Sequence, residues 1–598
     1  MTVQDDGGDP FAHLHDEAYA DAYVGRRSTF LDAVHMGGRR TIPLDGQWHF
    51  TPDLFDEGLR QGWHRDSADP PSQWATPRDA ELWTADTVAV PGCWTMARPE
   101  WRFFEGAAWY ARIFDWSPAD GPRLVLRLGA GNYEMRVFLN GTLVGSHRGG
   151  STPAFFELTA TIRPGENRLL VQVDNRRRPD RVPMHHFDWF NHGGLHREVG
   201  LLPLPAVFIR SFRVWLATDG VHVTLVLSDP VSGVATVTLD GQDTIVTLTD
   251  GMGQAVLPAT PDRWSPENPV LHDMTAAFET DHVTDRVGLR LIETAGTAIL
   301  LNGSSVYLRG VCVHEDDADL GRVATEDDMR RRARHAKELG CNMLRLAHYP
   351  HHERMAEIAD EVGLLLWAEI PVYWAIDFHC AATYEDAENQ LLELIARDAN
   401  RASVVLWGVG NENADTDARY VFMSRLARAA RAADRTRLIA AACLINREHF
   451  RIEDRLTDHL DVIGINEYFG WYEPGFDGLA RLLANSRPDK PVVISETGAD
   501  ALAGHHGGVR QLFTEECQAE YFRQQIALVS HVEYVRGFCP WLLYDFRTER
   551  RQTGFQRGFS RKGLIADDKS TKKLAFEVVR ASYALLDHPP SAPEFDPL

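Results

Sequence analysis

VVLWGVGNEN (404–413) climbs through Val404, Val405, Leu406, Trp407 and Val409, then turns polar at Asn411, Glu412 and Asn413. A run this short and this apolar reads as a strand buried on both faces. Similar runs recur on both sides of it: VYLRGVCVHE (306–315), MLRLAHYP (343–350), LLLWAEIP (364–371), LIAAACLI (438–445), DVIGINEY (461–468), PVVISETG (491–498) and GFCPWLLYDF (537–546). Helix-like segments lie between most of them. TEDDMRRRARHAKELG (325–340) opens on a capping pair, Thr325 and Asp328, and 383–399, 415–432, 514–530 and 571–586 continue the alternation. Alternating strands and helices signal parallel βαβ units. Repeated around a closed ring they predict a (β/α)8 TIM barrel over 296–598, whose working groups sit at the C-terminal ends of the strands. Those ends carry His314 and Glu315, Arg345 and His348, Glu369, Asn411 and Glu412, Asn466 and Tyr468, Glu496, and Tyr544 and Asp545. One polar strand end is ordinary; this many directed to one barrel face make a pocket.

Upstream the texture is different. RLVLRL (123–128), YEMRVFL (133–139) and RLLVQV (168–173) alternate with period two, and Asn140-Gly141 is a strong hairpin signal. This predicts a jelly-roll-like β-sandwich over 36–205. A second strand-rich stretch with an Asp240-Gly241 turn predicts an immunoglobulin-like sandwich over 206–295. Residues 1–35 read as an N-terminal arm. A chain of 598 residues exceeds one hydrophobic core, which agrees with several domains.

The formal charge of −23 argues against nucleic acid or an anionic membrane as partner. No apolar run is long enough to span a bilayer, and MTVQDDGGDP lacks a leader-like core, so a cytoplasmic location is expected. The seven cysteines are scattered and never form CxxC, which fits reduced structural thiols.

Two carboxylates stand out. Glu412 ends the fourth candidate strand and Glu496 the seventh, across a barrel mouth from each other. A pair of carboxylates flanking one bond is what glycoside hydrolysis requires: one protonates the leaving oxygen, the other attacks the anomeric carbon or activates water. Arg345 is placed to orient a carboxylate. His314 and His348 are candidates for contacts to sugar hydroxyls, against the plain alternative of buried structural histidines.

LDGQWHF (44–50), VAVPGCW (88–94), EGAAWYAR (105–112), FDWFNHGGLHREV (187–199), WSPENPVLH (264–272), VGLR (287–290), LNGSSVYLRGVCVHED (301–316), NRASVVLWGVGNEN (400–413), DVIGINEYFGWY (461–472) and PVVISETG (491–498) run in order along the chain. Together they resemble glycoside hydrolase family 2, in particular its shorter three-domain members of the β-glucuronidase type, from about 40 to 590. The resemblance implies a retaining exo-β-glycosidase with Glu412 as acid/base and Glu496 as nucleophile. In that reading Glu412 carries the proton and Glu496 stays ionised. It further implies that Asn411 bonds the sugar 2-hydroxyl, that Asn466, Tyr468 and Tyr472 line the pocket, that Trp541 forms its floor, and that Asp188 closes it. Glu467 stands where a basic residue is common in β-glucuronidases and has no assigned role.

Substrate rests on the segment after the eighth strand. β-Glucuronidases carry Asn-x-Lys there, which holds the uronate carboxylate; GFQRGFSRKGLI (554–565) has Ser560-Arg561-Lys562 instead. A carboxylate leaving water needs a charged donor, and Lys562 supplies one. Arg557 and its neighbours add positive charge. The leading substrate is therefore a β-D-glucuronide, with a β-D-galactopyranoside, then a galactofuranoside, as alternatives. A carbohydrate or glycoconjugate is the expected partner, a homo-oligomer the expected assembly, and neither cofactor nor metal is called for. Two rivals stay open: a non-catalytic carbohydrate-binding protein, and a metal-dependent barrel hydrolase prompted by the 25 histidines. Adjacent histidines such as His185 and His186 point apart on a strand or helix and make poor paired ligands.

Overall fold

Asn140-Gly141 and Asp240-Gly241 both place two successive residues at positive φ (51° and 80°, 46° and 83°), the geometry that matches the twist of paired strands. Each closes a hairpin where expected. In this computed structural model residues 25–65, 82–258 and 260–586 are described. Most of the predicted N-terminal arm, residues 1–24, lies outside them; within 25–35 a single 3-10 turn forms at Phe30–Asp32.

The chain divides into two compact units. The first holds an antiparallel six-stranded sheet, ordered Thr87–Val90, Gly46–Asp53, Ala107–Trp116, Gly165–Asp174, Glu134–Leu139, Thr142–Arg148. A four-stranded sheet joins it, ordered Ile42–Pro43, Val199–Leu204, Arg123–Leu128, Ala154–Glu157. Trp48, Trp94, Tyr110, Leu126, Met135 and Val171 belong to the one core these sheets share.

The second unit contains both the other predicted parts. A three-stranded sheet (Ile209–Ala217, Gly220–Leu227, Met252–Leu257) and a four-stranded sheet (Gln242–Leu248, Gly233–Leu239, His272–Phe278, Asp281–Val287) enclose Phe212, Val223, Val237, Met274 and Val283. Strict alternation of burial along Gly220–Leu227 is the period-two pattern of a strand with one face in the core. Segment Arg177–Asn191, expected within the first sandwich, groups with this second unit.

The barrel closes through parallel pairing of Met343–Leu346, Leu365–Glu369, Val404–Asn411, Leu438–Cys443, Val462–Asn466, Val492–Thr497 and Val535–Pro540. Its first strand is split. Leu308–Arg309 pairs with the last strand (Leu308 opposite Gly537) and Cys312–Val313 with the second (Cys312 opposite Arg345), so the two short pieces complete the ring. Helix Glu326–Leu339 starts where Thr325 accepts from the Asp328 N–H and stops at Gly340, φ 90°. After the fifth strand, where the sequence shows no helix-like segment, a small hairpin and the 3-10 turn Arg455–His459 make the connection. Arg290, beyond the immunoglobulin-like strands, fixes the base of the barrel by donating to the carbonyls of Ala402, Thr436 and Val404. With that end tied down, the opposite ends of the strands are left to carry chemistry.

Candidate active site

Arg345, from the second barrel strand, is fully buried and organises the mouth of the barrel. Its Nε and Nη2 donate to the two Glu369 oxygens (3.1 and 3.0 Å), Nη1 to Glu496 Oε1 (2.8 Å), and Nη2 also to Asn411 Oδ1 (2.8 Å). One guanidinium thus joins the ends of the second, third, fourth and seventh strands. Its forked donors suit this; a lysine ammonium lacks the fixed geometry.

Glu496 also accepts from the Tyr468 hydroxyl at Oε2 (2.9 Å), and His348 Nε2 stands 3.5 Å from Oε1. Burial pushes the Glu496 carboxyl up to about 8; the Arg345 charge and the Tyr468 bond pull it down, while the charges of Glu412 and Glu369 push it up. Burial thus works against the expectation that Glu496 stays ionised. The Arg345 charge is also shared unevenly: Glu369 takes two Arg345 bonds and a third from His348 Nδ1 (2.8 Å), which hold it below its usual value against its burial.

Glu412 follows the fourth strand at φ 52°, its N–H donating to Ala442 O (3.0 Å). Trp374 Nε1 donates to its Oε2 at 2.7 Å. Asn411 is buried; its Oδ1 is taken by Arg345 and by Asn466 Nδ2 (3.0 Å), and its Nδ2 has no protein partner. A buried, unpaired amide N–H beside two carboxylates is costly unless something else accepts from it.

Asn466 uses both polar groups inward, since Ser495 Oγ also donates to its Oδ1 (2.7 Å). It thereby supports Asn411. His314 bonds Tyr349 (3.2 Å), stacks on Phe546 at 4.2 Å, and keeps Nε2 unpartnered; burial and neighbouring histidines hold it well below its usual value, so it is neutral. Trp541 stacks on His348 (4.9 Å, 20°) and meets His314 edge-on.

A second cluster comes from loops. Lys562 is buried and donates to Asp500 Oδ2 (2.7 Å) and to the Tyr472 hydroxyl (2.8 Å). Burial raises Asp500, but the Lys562 charge and bond more than offset it and keep Asp500 ionised. Tyr472 is half exposed, and Ser560 is buried nearby in sequence. Asp188 accepts from Thr548 Oγ1 (2.8 Å) and pairs with Arg551 Nη2. Its neighbour Trp189 lies against His314, His348 and Tyr373. Arg557 is not brought in: it is exposed, and its Nε is spent on Gly554 O (2.9 Å). Tyr544 and Asp545 also turn away, to His335 and to Lys573.

Sequence reasoning missed Trp374, Trp189 and Asp500, and placed Arg551 only as one charge in a basic segment. Trp374 and Asp500 each lie within five residues of a strand-end carboxylate, Glu369 and Glu496, and that proximity was their only local signal. Among the described residues no group of three or more His, Cys, Asp or Glu side chains is placed to hold a metal ion. No helix among them is long and apolar enough to cross a membrane.

Residues 42–205 match the family model for the glycosyl hydrolases family 2 sugar binding domain, and 292–587 that for the family 2 TIM barrel domain. A β-glucuronidase of Paenibacillus borealis is 27% identical over 593 residues, spanning 90% of this chain and 96% of the relative. The solved β-galacturonidase of Eisenbergiella tayi bound to galacturonate superposes with a TM-score of 0.80 at 26% identity, covering 92% of this chain and 98% of that one. A β-glucuronidase from an uncultured Clostridium sp. gives 0.82 at 26% identity, covering 92% and 99%.

Proposed function

The chain belongs to glycoside hydrolase family 2, and from that premise we propose that it is a retaining exo-β-glycosidase acting on β-D-glucuronides, with Glu496 as nucleophile and Glu412 as acid/base. The observation that carries the reading is Arg345, which holds Glu496 and Asn411 at once and so directs a carboxylate and an unpaired amide N–H into one space.

The steps follow from the groups present. Glu496 attacks the anomeric carbon while Glu412 gives its proton to the departing glycosidic oxygen; the carbon–oxygen bond to the aglycone breaks as the glycosyl–Glu496 ester forms. Water then loses a proton to Glu412 and attacks the same carbon, releasing Glu496. In the productive form the pair's proton is on Glu412 and the charge on Glu496, where the Arg345 and Tyr468 donors receive it. Asn411 Nδ2 donates to the sugar 2-hydroxyl, a bond that tightens as the oxocarbenium-like state develops.

Lys562 is the donor for the uronate. Two of its three N–H groups are taken by Asp500 and Tyr472, leaving one for a ligand. The named ligands and activities of the relatives, glucuronide and galacturonate, share a carboxylate on the sugar ring. A binding protein without turnover has no use for a carboxyl pair at opposed strand ends.

A mechanism-based fluoroglycosyl fluoride of glucuronic acid tests the roles: peptide mapping is expected to find the label on Glu496, and turnover with the label elsewhere would refute them. A panel of aryl glycosides (glucuronide, galacturonide, galactopyranoside, galactofuranoside, glucoside) tests the sugar. The proposal extends to domain limits near residues 35, 205 and 295, to a cytoplasmic location, supported by seven cysteines outside any disulfide, and to a homo-oligomer, which sedimentation measures.

A further inference from the structure

Trp374 lies just beyond the third barrel strand, at φ 52°, and its setting is more constrained than a rim residue requires. Its backbone N–H donates to Asn411 O (2.9 Å), and Asn413 Nδ2 donates to its carbonyl (2.9 Å). Its ring stacks with Tyr373 (4.6 Å, 30°) and carries the Arg550 guanidinium 4.8 Å from its centre. The residues flanking Glu412 thus clamp the Trp374 backbone, and the half-buried indole returns one bond, Nε1–H to Glu412 Oε2 at 2.7 Å.

We propose that Trp374 is a positioning residue for the general acid, fixing which oxygen of Glu412 bears the proton and favouring its release to the leaving group. The inference rests on Glu412 being the acid/base.

An indole N–H can only donate. While Glu412 is protonated, the carbonyl oxygen is its better acceptor, so the Trp374 bond to Oε2 favours the proton on Oε1. When Oε1 gives that proton to the glycosidic oxygen, the carboxyl group becomes a carboxylate and the Trp374 bond becomes charge-assisted, hence shorter and stronger. A bond that strengthens as the proton leaves lowers the barrier rather than the ground state. The other groups whose charge or dipole faces Glu412 are Glu496, Tyr373 and Tyr468, with Arg550 reached through the indole. Among these groups, Trp374 is the one hydrogen-bonded to a Glu412 oxygen.

The test uses leaving-group dependence, which a merely structural defect does not move. Trp374→Phe keeps an aromatic ring and removes the donor. With phenyl β-glucuronide, whose phenolate leaves poorly, kcat/KM is expected to fall about 10- to 100-fold. With the dinitrophenyl glycoside, which departs without protonation, the loss is expected to be only about a few-fold. Equal losses on both substrates overturn the proposal. Should the Phe protein fail to fold, a benzothienylalanine at position 374 keeps the ring size and replaces N–H by sulfur, and the same two outcomes apply. Glu412→Ala separates this inference from the one beneath it. If that variant loses both substrates equally, the acid/base reading itself fails; if it is selective and the Trp374 variants are not, only the role of Trp374 falls.

Discussion

Arg345, Glu369 and Glu496 come from barrel strands, whereas Lys562, Asp500, Arg551 and Asp188 come from loops around the same mouth. In the strand cluster two buried carboxylates share one guanidinium, and the one with fewer bonds, Glu496, is pushed up to about 8. In the loop cluster each carboxylate has its own cation, and Asp500 stays in the ionised range. Strand register fixes the first set to each other, which suits groups that must meet one atom. Loop placement leaves the second set adjustable between related enzymes, which suits recognition of the sugar. In the proposed function the under-compensated charge does the chemistry and the compensated charge selects the sugar.

The sharpest way to break that division is to neutralise one acid at a time. Glu496→Gln is expected to lower kcat by about 10³-fold or more on every sugar offered, because no nucleophile replaces it. Comparable rates before and after, on any glycoside, would mean the strand cluster is structural. Arg345→Gln comes next. It leaves Glu369 and Glu496 buried without their cation, and breaking such a pair costs about 3–5 kcal/mol, to be read as a lowered urea midpoint at unchanged slope.

Why part of this was legible follows from the same contrast. Alternation, the Asn140-Gly141 and Asp240-Gly241 turns, and polar residues ending apolar runs are local signals, so the sheets and Arg345, Asn411, Glu412 and Glu496 were readable without the fold. The pairings Lys562–Asp500, Arg551–Asp188 and Trp374–Glu412 join residues 62, 363 and 38 positions apart through loops whose paths no periodicity encodes. Arg557 shows the cost: three residues from Ser560 in sequence, it lies in solvent. The split of the first strand was hidden for a related reason, since closure of a ring is set by the last strand and not by the segment itself.

Glu467 extends the series to a carboxyl with no cation. It sits between Asn466 and Tyr468 but, by the period of the strand, faces the other way. Its Oε2 accepts from Phe469 N (3.1 Å) and Gln525 Nε2 (3.2 Å), Oε1 is buried without a partner, and burial pushes it up to about 7. An acid raised on folding binds a proton the unfolded chain has already lost, so stability falls as pH rises from the unfolded value of 4.5 to about 7. Glu467→Gln removes that penalty. It is expected to gain roughly 3 kcal/mol relative to the parent above pH 7 and nothing below about 4.5. A pH-independent difference between the two proteins would mean that Glu467 is compensated after all.

Lys562→Ala tests the selecting half of the comparison. In the proposed reading the variant deletes the ammonium that bonds a uronate, and it also removes the charge that offsets the burial of Asp500, whose carboxyl is thereby raised. Loss of a hydrogen bond to a charged group is worth about 1.5–3 kcal/mol, so kcat/KM for the glucuronide is expected to fall about 10- to 150-fold. Whatever turnover the parent has on a neutral glucoside or galactoside should change far less, because Lys562 touches neither Glu412 nor Glu496. The informative quantity is the ratio of the two specificities in one preparation, which cancels any loss of folded protein. If the ratio holds steady, Lys562 serves only to neutralise Asp500, and the loop cluster is as structural as Arg290 at the other end of the barrel.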